Sequence, residues 1–361
     1  MKILLMGCFR VANNGNIYGG AEKSIIKLAN WLAENTDHAI TLVSVEGEVQ
    51  PYEISDKVTF QGYPLLQNGK LSVHWQMYQN TVRAIKTYRP DIAVSFWIHP
   101  ALYAFMYDRN LKLIFSERND PRLEYGIMSR LARSIVLKKA KGIVFQTQDA
   151  QNYFKEKIRR KSMVIHNPIY VSKTNGVKMA DRDSRIVTVG RLERQKNQEM
   201  LIRAFCQIKD RYPDLTLEIY GEGSLRNELQ GLIDEMNLKE RVCLKGTCPN
   251  VLERIRSARL FVLPSLYEGM PNTLMEAMSM GIPAISSDCP CGGPRELIDD
   301  KVNGYLFKNT DMESLVSVMT EVLDHPDESV SREEQKICDT HSQDIIFSLW
   351  KDYIERCWKS E

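Results

Sequence analysis

The stretch EGMPNTLMEAMSMGIPAISSD, Glu268 to Asp288, indicates a loop, a helix and a strand in succession. The apolar run just before it, LFVLPS, is typical of a strand buried in a parallel sheet. Asn272 is a preferred N-cap residue and the Gly-Ile-Pro sequence at 281–283 stops a helix, so the pattern predicts a helix from Asn272 to Met280. The order strand, loop, helix, strand is the unit from which parallel α/β sheets are built.

Two carboxylates, Glu268 and Glu276, flank the start of this predicted helix and are separated by seven residues. Glu268 follows the strand, at the carboxyl edge where open α/β sheets bind their ligands, and Glu276 lies one turn inside the helix. A helix N-terminus presents free N–H groups and a positive dipole end, which suits a phosphate. The pattern therefore predicts a site for a phosphorylated ligand, and the alternative is an ordinary βα unit with surface glutamates.

Strand and helix patterns alternate along the chain, which indicates parallel sheets covered by helices on both faces. The 361 residues suit two domains better than one, because single hydrophobic cores rarely exceed about 250–300 residues. The polar segment Ile165–Ser184 is the predicted linker between an N-terminal domain, 1–168, and a C-terminal domain, 185–339. The predicted strands are Lys2–Gly7, Ile40–Val45, Asp91–Trp97, Lys112–Glu117 and Gly142–Thr147 in the first domain, and Arg185–Arg191, Leu215–Tyr220, Val242–Lys245, Leu260–Pro264 and Ala284–Ser287 in the second.

A basic segment, VGRLERQKN at 189–197, also follows a predicted strand and leads into a helix. Arg191 offers a planar bidentate fork and Lys196 a mobile point charge, and both side chains can reach one diphosphate. Two surface cations in a βα loop are the alternative interpretation.

Near the N-terminus, YGGAEKS places Gly19 and Gly20 in the first βα loop, where a glycine pair permits close backbone approach of a ligand. Their spacing is not that of the GxGxxG dinucleotide motif.

Together these segments resemble the signature of retaining GT-B glycosyltransferases of family 4. Matching landmarks near Gly19, Asn167, Arg191 and Lys196 extend the resemblance over most of the chain. The resemblance implies an α/β fold of two Rossmann-like, doubly wound parallel-sheet domains that face a central cleft. In that family the first domain binds the acceptor, the second binds the nucleotide sugar, and a C-terminal helix, here about 340–361, packs back on the first domain.

The resemblance also assigns roles to individual side chains. Glu268 would accept hydroxyl groups of the transferred sugar, and Glu276 would bind the ribose diol of the nucleotide. Basic residues at the positions of Arg191 and Lys196 bind the donor pyrophosphate in the family, so we expect neither a cofactor nor a metal ion. The full predicted donor-binding set is Gly19, Gly20, Gly190, Arg191, Lys196, Gly221, Gly246, Glu268, Gly269, Met270, Pro271, Asn272, Thr273, Leu274 and Glu276.

The N-terminal domain departs from the family pattern in the loop SERNDPR, 116–122. Many relatives carry a histidine there, near the sugar, whereas this sequence offers Glu117 and Arg118. His99 follows an earlier predicted strand, and we assign it no catalytic role. Glu117 and Arg118 become candidates for the active site, with a salt-bridged loop as the alternative. The candidate catalytic set is Glu268, Arg191, Lys196, Glu117 and Arg118.

The resemblance implies retaining transfer of a hexose or N-acetylhexosamine from a nucleotide-diphosphate sugar, with uridine as the expected base. The acceptor is expected to be a saccharide used in bacterial polysaccharide or glycan assembly. Two other functions fit the same fold: a sugar-nucleotide epimerase or hydrolase, and a non-catalytic sugar-nucleotide binding protein.

The DXD sequence at 181–183, typical of metal-dependent transferases, lies in the polar linker rather than at a strand end, so we interpret it as coincidence.

Composition excludes several classes of protein. The net charge of +2 and the hydrophobic content of 43% are those of an ordinary globular protein without a general affinity for nucleic acid. Eight cysteines are too sparse for a disulfide scaffold and lack zinc-site spacing, which indicates reduced thiols in the cytoplasm. No apolar run approaches the 18 residues of a membrane span.

The charge is unevenly distributed, because Arg122 to Lys161 contains eleven Lys and Arg against three acids. Within it, GIMSRLARSIVLKKAKG at 126–142 predicts a cationic amphipathic helix. Such a helix binds anionic lipid headgroups, at roughly 1 kcal/mol per basic residue near the surface. We therefore expect 126–161 to contact the inner face of the cell membrane. Because family members that extend lipid-linked sugars use this same N-terminal region, the resemblance also implies an acceptor linked to polyprenyl diphosphate. The alternative is a core-facing helix with a solvated basic face. The apolar residues are Ile127, Met128, Leu131, Ile135 and Val136, and the basic ones are Arg130, Arg133, Lys138 and Lys139.

Overall fold

The computed structural model describes residues 1–9, 20–48, 53–66, 69–118, 120–122, 126–170 and 176–360. These residues form two compact units. Unit 1 comprises Met1–Pro168 together with Asp344–Glu361, and unit 2 comprises Ile169–Gln343. Gly19, one of the predicted donor-binding residues, lies outside the described residues.

Unit 1 contains a parallel sheet of seven described strands in the order β3-β2-β1-β4-β5-β6-β7. The central strands β1, β4, β5 and β6 are buried along nearly their whole length, as expected where helices connect parallel strands and cover the sheet. The strands are β1 (Lys2–Gly7), β2 (Ala39–Ser44), β3 (Val58–Gly62), β4 (Ile92–Ser95), β5 (Leu113–Glu117), β6 (Gly142–Phe145) and β7 (Ser162–Val164). The helices are α1 (Gly20–Asn35), α2 (Lys70–Tyr88), α3 (Ile98–Tyr107), α4 (Ile127–Lys139), α5 (Gln148–Asn152) and α6 (Glu156–Arg159).

Unit 2 contains a second parallel sheet, with six described strands in the order β10-β9-β8-β11-β12-β13. Successive strand residues point to opposite faces, so Ile186 and Val187 belong to two different clusters of buried apolar residues. The strands are β8 (Arg185–Val189), β9 (Thr216–Tyr220), β10 (Val242–Gly246), β11 (Leu260–Leu263), β12 (Ala284–Asp288) and β13 (Tyr305–Lys308). The helices are α7 (Gln198–Ile208), α8 (Arg226–Glu235), α9 (Val251–Ile255), α10 (Asn272–Ser279), α11 (Gly293–Leu297), α12 (Met312–Asp324), α13 (Glu328–Glu334) and α14 (Ile337–Thr340).

The last helix, α15 (Gln343–Lys359), packs within unit 1. The buried Tyr353 hydroxyl accepts the Ile143 N–H at 2.8 Å and donates to the Lys161 carbonyl at 2.7 Å. Near the start of the helix, the Trp31 indole N–H donates to Asp344 at 2.7 Å. These bonds tie α15 to β6, to the start of β7 and to α1.

The two parallel sheets confirm the predicted fold class. Three observed strands, β3, β7 and β13, are absent from the prediction. All three lie at sheet edges and are partly exposed, and β3 and β7 lack the continuous apolar run on which the prediction relied. The predicted N-cap at Asn272 is wrong: Pro271, in an extended conformation, occupies that position and Asn272 is the first helical residue. Gly281 follows the helix with a left-handed φ of 66°, as its predicted stop role requires.

Helix α4 is amphipathic, but not all of its residues lie where the sequence placed them. Ile127, Met128 and Leu131 are 71%, 78% and 55% exposed, so this apolar row does not face the core. Val136 is buried. Arg133, predicted on the basic face, is also buried, and its guanidinium donates to the Pro121 carbonyl at 3.0 Å. The long aliphatic stem of arginine and a carbonyl partner make that burial possible.

Candidate active site

The predicted site residues of unit 2 lie at the carboxyl ends of its strands, in the loops that follow them and in helix α10. β8 and β11 are neighbours in the sheet, at the point where the strand order reverses, which is where α/β sheets bind ligands. The loops after these two strands are joined directly. The Leu266 N–H donates to the Gln195 carbonyl at 2.8 Å, and the Gln195 side-chain amide donates to the Tyr267 carbonyl at 2.9 Å. These two hydrogen bonds therefore fix the positions of the two loops relative to each other.

Glu268 and Lys196 form an ion pair across these loops. Lys196 Nζ lies 2.5 Å from Glu268 Oε1, and the Ser265 hydroxyl donates to the same oxygen at 2.7 Å. Glu268 is 6% exposed, so both contacts are protected from solvent screening. The Lys196 stem lies over Gly190, where an added Cβ would be 3.3 Å from Cδ and Cε. The carboxylate is thus fixed by a charge-assisted bond and a hydroxyl bond.

The other two charged candidates lie on either side of this pair in the sequence. Arg191 is exposed directly after β8, and its carbonyl accepts the Gln198 side-chain amide at 2.9 Å. Glu276 is half-buried in the second turn of α10. Lys196, predicted beside Arg191 on a diphosphate, has the Glu268 carboxylate as its partner in this structure.

Three of the predicted glycines pack backbone against backbone. Gly221 has φ 137°, and a Cβ there would lie 2.0 Å from the Gly190 carbonyl oxygen. The Gly221 N–H donates to the Gly246 carbonyl at 2.9 Å. Gly246 has φ 72°, in the left-handed region that favours glycine. The loops after β8, β9 and β10 are therefore brought together by close backbone approach.

Residues 269–274 divide into packing residues and residues at the helix start. Met270 and Leu274 are buried in the core beside β11, where their side chains pack against apolar neighbours. Pro271 is buried as well, and Asn272 is half-buried at the first position of α10. Within the described part of the chain, the buried Thr273 hydroxyl makes no hydrogen bond.

Sequence reasoning missed the loop after β12, residues 289–293, which contacts the Glu268 backbone. The Glu268 N–H donates to the Pro290 carbonyl at 2.6 Å, and the Cys291 N–H donates to the Glu268 carbonyl at 2.8 Å. A Cβ on Gly293 would lie 1.6 Å from the Gly269 carbonyl oxygen. The sequence CPCGGP carried a signal, because two glycines after a predicted strand permit such an approach.

The thiol of Cys289 lies in this same loop and is fully buried. Burial raises the pKa of Cys289 to about 12, so the thiol is protonated at neutral pH. A protonated buried thiol is a poor nucleophile.

Of the candidates in unit 1, Arg118 is held by neighbouring side chains. Glu117 ends β5 and is buried. The Arg118 guanidinium donates to Asn167 Oδ1 at 2.7 Å and to the Ser24 hydroxyl at 3.2 Å, and it lies 4.5 Å from the Phe96 ring centre. These contacts make Arg118 an anchor between elements of unit 1. Gly20 is exposed at the start of α1.

The DXD sequence is engaged in structural contacts. Asp183 accepts from the Arg185 guanidinium at 2.6 Å and from the Ser257 hydroxyl at 2.7 Å. Among the described residues, no group of three or more His, Cys, Asp and Glu side chains is placed to hold a metal ion.

None of the described helices has both the length and the apolar character that a membrane-spanning segment needs.

Comparison with known proteins gives consistent matches along the chain. The family model described as Glycosyltransferase Family 4 matches residues 18–173, and the model described as Glycosyl transferases group 1 matches residues 174–337. An uncharacterised glycosyltransferase of Methanocaldococcus jannaschii is 32% identical over 250 residues, which are 62% of this chain and 61% of that protein. The chain thus matches about three-fifths of that relative's length.

Two further proteins extend the comparison. The N-acetylgalactosamine-N,N'-diacetylbacillosaminyl-diphospho-undecaprenol 4-alpha-N-acetylgalactosaminyltransferase of Campylobacter jejuni is 26% identical over 319 residues, covering 80% of this chain and 83% of its own. The Anabaena protein HepE in complex with UDP has the same fold, with a TM-score of 0.77 at 16% identity, covering 99% of this chain and 100% of its own. With the two parallel sheets and the family models that together match 18–337, the chain belongs to the family 4 glycosyltransferases of the GT-B type.

Proposed function

We propose that this glycosyltransferase moves a hexose or N-acetylhexosamine from a UDP-sugar, with retention of configuration, to a saccharide carried on polyprenyl diphosphate. The observation that carries the proposal is the buried Glu268 carboxylate, held by Lys196 and Ser265 beside the start of α10. The name of the Campylobacter relative, a diphospho-undecaprenol-dependent transferase, supports the lipid-linked acceptor. The UDP bound to the Anabaena protein supports the nucleotide.

The charges of the site suit departure of a diphosphate. Negative charge grows on the leaving group, and the exposed Arg191 guanidinium and the α10 N-terminus supply positive potential at the strand ends. Lys196 lies on the same loop as Arg191 and pairs with Glu268, so in this proposal its ammonium links the sugar-binding carboxylate to the diphosphate. Cys289 is buried and protonated, which makes it a poor nucleophile. We assign the role of nucleophile to no other side chain. In this proposal the acceptor hydroxyl attacks C1 on the leaving-group face, the C1–O bond to UDP breaks, and a phosphate oxygen takes the hydroxyl proton.

A panel of nucleotide sugars tests the reaction directly. The chain is incubated with UDP-glucose, UDP-galactose, their N-acetylated forms and GDP-mannose, with and without undecaprenyl-diphosphate-linked N-acetylglucosamine. We expect release of UDP from at least one UDP-sugar that depends on the acceptor. Nucleotide release from GDP-mannose alone, or UDP release at the same rate with and without the acceptor, would contradict the proposal.

Turnover is expected to persist when divalent cations are removed. Two cationic side chains and a helix N-terminus can balance the diphosphate charge, so a metal ion has no necessary role. Initial rates are measured in EDTA and after addition of magnesium or manganese. A rate that EDTA abolishes and either ion restores would show that the roles given to Arg191 and Lys196 are wrong.

We also place the protein at the cytoplasmic face of the cell membrane, through α4 and the basic segment up to Lys161. The exposed apolar row of Ile127, Met128 and Leu131 lies on the same helix as exposed basic residues, a combination suited to anionic headgroups and the acyl boundary. The exposed basic residues of α4 are Arg130, Lys138 and Lys139.

Sedimentation with liposomes tests this placement. We expect binding to phosphatidylglycerol vesicles at low salt, weaker binding at 0.5 M salt, and little binding to phosphatidylcholine vesicles. Met128→Glu should weaken binding about tenfold, since it places a negative charge in the apolar row. Val302→Glu is the matched control, because Val302 is 50% exposed but lies in unit 2. Equal binding to anionic and neutral vesicles would leave a soluble acceptor as the alternative.

A further inference from the structure

The loop that carries Glu268 is held by side chains from three other segments of unit 2. The three consecutive backbone carbonyls just before Glu268 each accept a side-chain hydrogen bond. The bonds run from Ser287 to the Ser265 carbonyl at 2.6 Å, from Asn309 to the Leu266 carbonyl at 3.1 Å and from Gln195 to the Tyr267 carbonyl at 2.9 Å. Loop backbone has no strand partner, so its carbonyls depend on such donors. Together the bonds fix the peptide planes that lead into Glu268.

The three donors approach this loop from both sides of its strand, β11. Gln195 lies in the loop after β8, which is the neighbour of β11 on one side. Ser287 in β12 and Asn309 directly after β13 lie on the other side. Ser287 is fully buried and Asn309 is half-buried. Neither residue belongs to the predicted donor-binding set, so both reach the site through the backbone of the Glu268 loop.

The position of Asn309 is set by the turn that opens α12. The Asp311 carboxylate accepts the Ser314 N–H at 3.0 Å, and the Ser314 hydroxyl accepts the Lys308 N–H at 3.0 Å. The Asp311 N–H donates to the Lys308 carbonyl at 3.1 Å, so Asn309 lies inside a closed turn. In the described part of the chain, the buried Asn309 Oδ1 atom makes no hydrogen bond. The bond from Nδ2 to the Leu266 carbonyl therefore orients this amide.

We infer that Ser287 and Asn309 are positioning residues for sugar transfer, which hold the loop from which the Glu268 carboxylate reaches the sugar. The inference rests on the proposed function, in which Glu268 binds the transferred sugar. Displacement of a positioned group by about 1 Å can lower the rate about a hundredfold. The Glu268 N–H and carbonyl keep their bonds to Pro290 and Cys291 when one side-chain donor is lost, so a smaller effect is expected from each single variant.

Steady-state kinetics test the inference. Asn309→Ala and Ser287→Ala should each lower kcat about tenfold and leave the Kd for UDP within a factor of about two, because the sugar contact is disturbed and the nucleotide contacts are not. Asn309→Asp should lose as much as Asn309→Ala, since a carboxylate cannot donate to the Leu266 carbonyl. Asn303→Ala is the matched control, because its side-chain amide donates to the Leu297 carbonyl at 3.0 Å and lies before β13 rather than after it. Parental kcat in both Asn309→Ala and Ser287→Ala would overturn the inference.

A double-mutant cycle separates positioning of Glu268 from a general loss of stability. In the Glu268→Ala background, Asn309→Ala should lower kcat by no more than about twofold, because its effect passes through the carboxylate that is already missing. Asn303→Ala should lower the melting temperature and leave kcat unchanged. A tenfold loss of kcat from Asn309→Ala in both backgrounds would show that Asn309 has a purely structural role and would overturn the inference.

Hydrogen exchange separates failure of this inference from failure of the proposed reaction. Exchange of the amides in 264–270 is followed by mass spectrometry without substrate; the Leu266 N–H among them is bonded to the Gln195 carbonyl. We expect these amides to exchange at least about tenfold faster in Asn309→Ala and Ser287→Ala, and at the parental rate in Asn303→Ala. That result supports the holding of the Glu268 loop even if no nucleotide sugar is turned over. Parental exchange in both Asn309→Ala and Ser287→Ala would overturn the inference even if the chain is an active transferase.

Discussion

Replacing Glu268 by alanine is expected to lower kcat by about a hundredfold or more, with little change in the Kd for UDP. Its carboxylate is held by Lys196 at 2.5 Å and by the Ser265 hydroxyl at 2.7 Å, so it occupies one defined position for the sugar hydroxyls. Removing it also leaves the largely buried Lys196 ammonium without its partner. Glu276→Ala, in contrast, should raise the Kd for UDP about tenfold and change kcat little, because its predicted contact is with the ribose.

Steady-state kinetics and calorimetric titration with UDP measure the two effects. Glu321→Ala is the control, because it removes an exposed ion pair with Lys301, a kind that contributes at most about 1 kcal/mol. Small and equal effects of Glu268→Ala and Glu276→Ala would contradict the roles assigned to both glutamates.

Gly293→Ala is expected to lower kcat/KM at least about tenfold, although the side chain it adds is a single methyl group. That methyl carbon would lie 1.6 Å from the Gly269 carbonyl oxygen, so the backbone beside Glu268 must move. Gly231→Ala is the matched control: Gly231 lies in α8 with nothing within 4 Å of an added Cβ. Alanine there should stabilise the helix by up to about 1 kcal/mol and leave kinetics unchanged. Melting temperatures and kcat/KM of both variants check this, and parental kcat/KM in Gly293→Ala would show that the 289–293 loop does not position Glu268.

The fold was predictable where one local pattern decides it. The central strands β4, β5 and β11 are short apolar runs, and burial on both faces of a parallel sheet requires that pattern. The edge strands β3 and β7 mix exposed and buried residues, and their pairing depends on neighbours far along the chain. The predicted N-cap of α10 is wrong because Pro271, with an extended backbone, occupies the N-cap position in place of Asn272. Residue preference alone therefore does not determine where this helix begins.

The sequence singled out candidate residues for the site but could not predict how they are arranged. Motif context singled out Glu268, Lys196 and Arg191, whose roles stay predictions. No local sequence pattern indicates that Lys196 and Glu268, which are 72 residues apart, form an ion pair. The same holds for the hydrogen bond from the Cys291 N–H to the Glu268 carbonyl. For α4, periodicity gave an amphipathic helix but could not say which row packs inward. The structure places Arg133 inside and Met128 outside.

The most direct test of the central claim follows a radiolabelled sugar from donor to acceptor. The chain is incubated with the UDP-sugar that supports turnover, labelled in the sugar, and with undecaprenyl-diphosphate-linked saccharide, and the lipid is then extracted into butanol. The account predicts label in the butanol phase, an α-linkage formed from an α-linked donor, and loss of that label in Glu268→Ala. Label that stays in water as free sugar would identify a hydrolase, label in an epimerised nucleotide sugar an epimerase, and unreacted donor a binding protein. Each of these results would contradict the account.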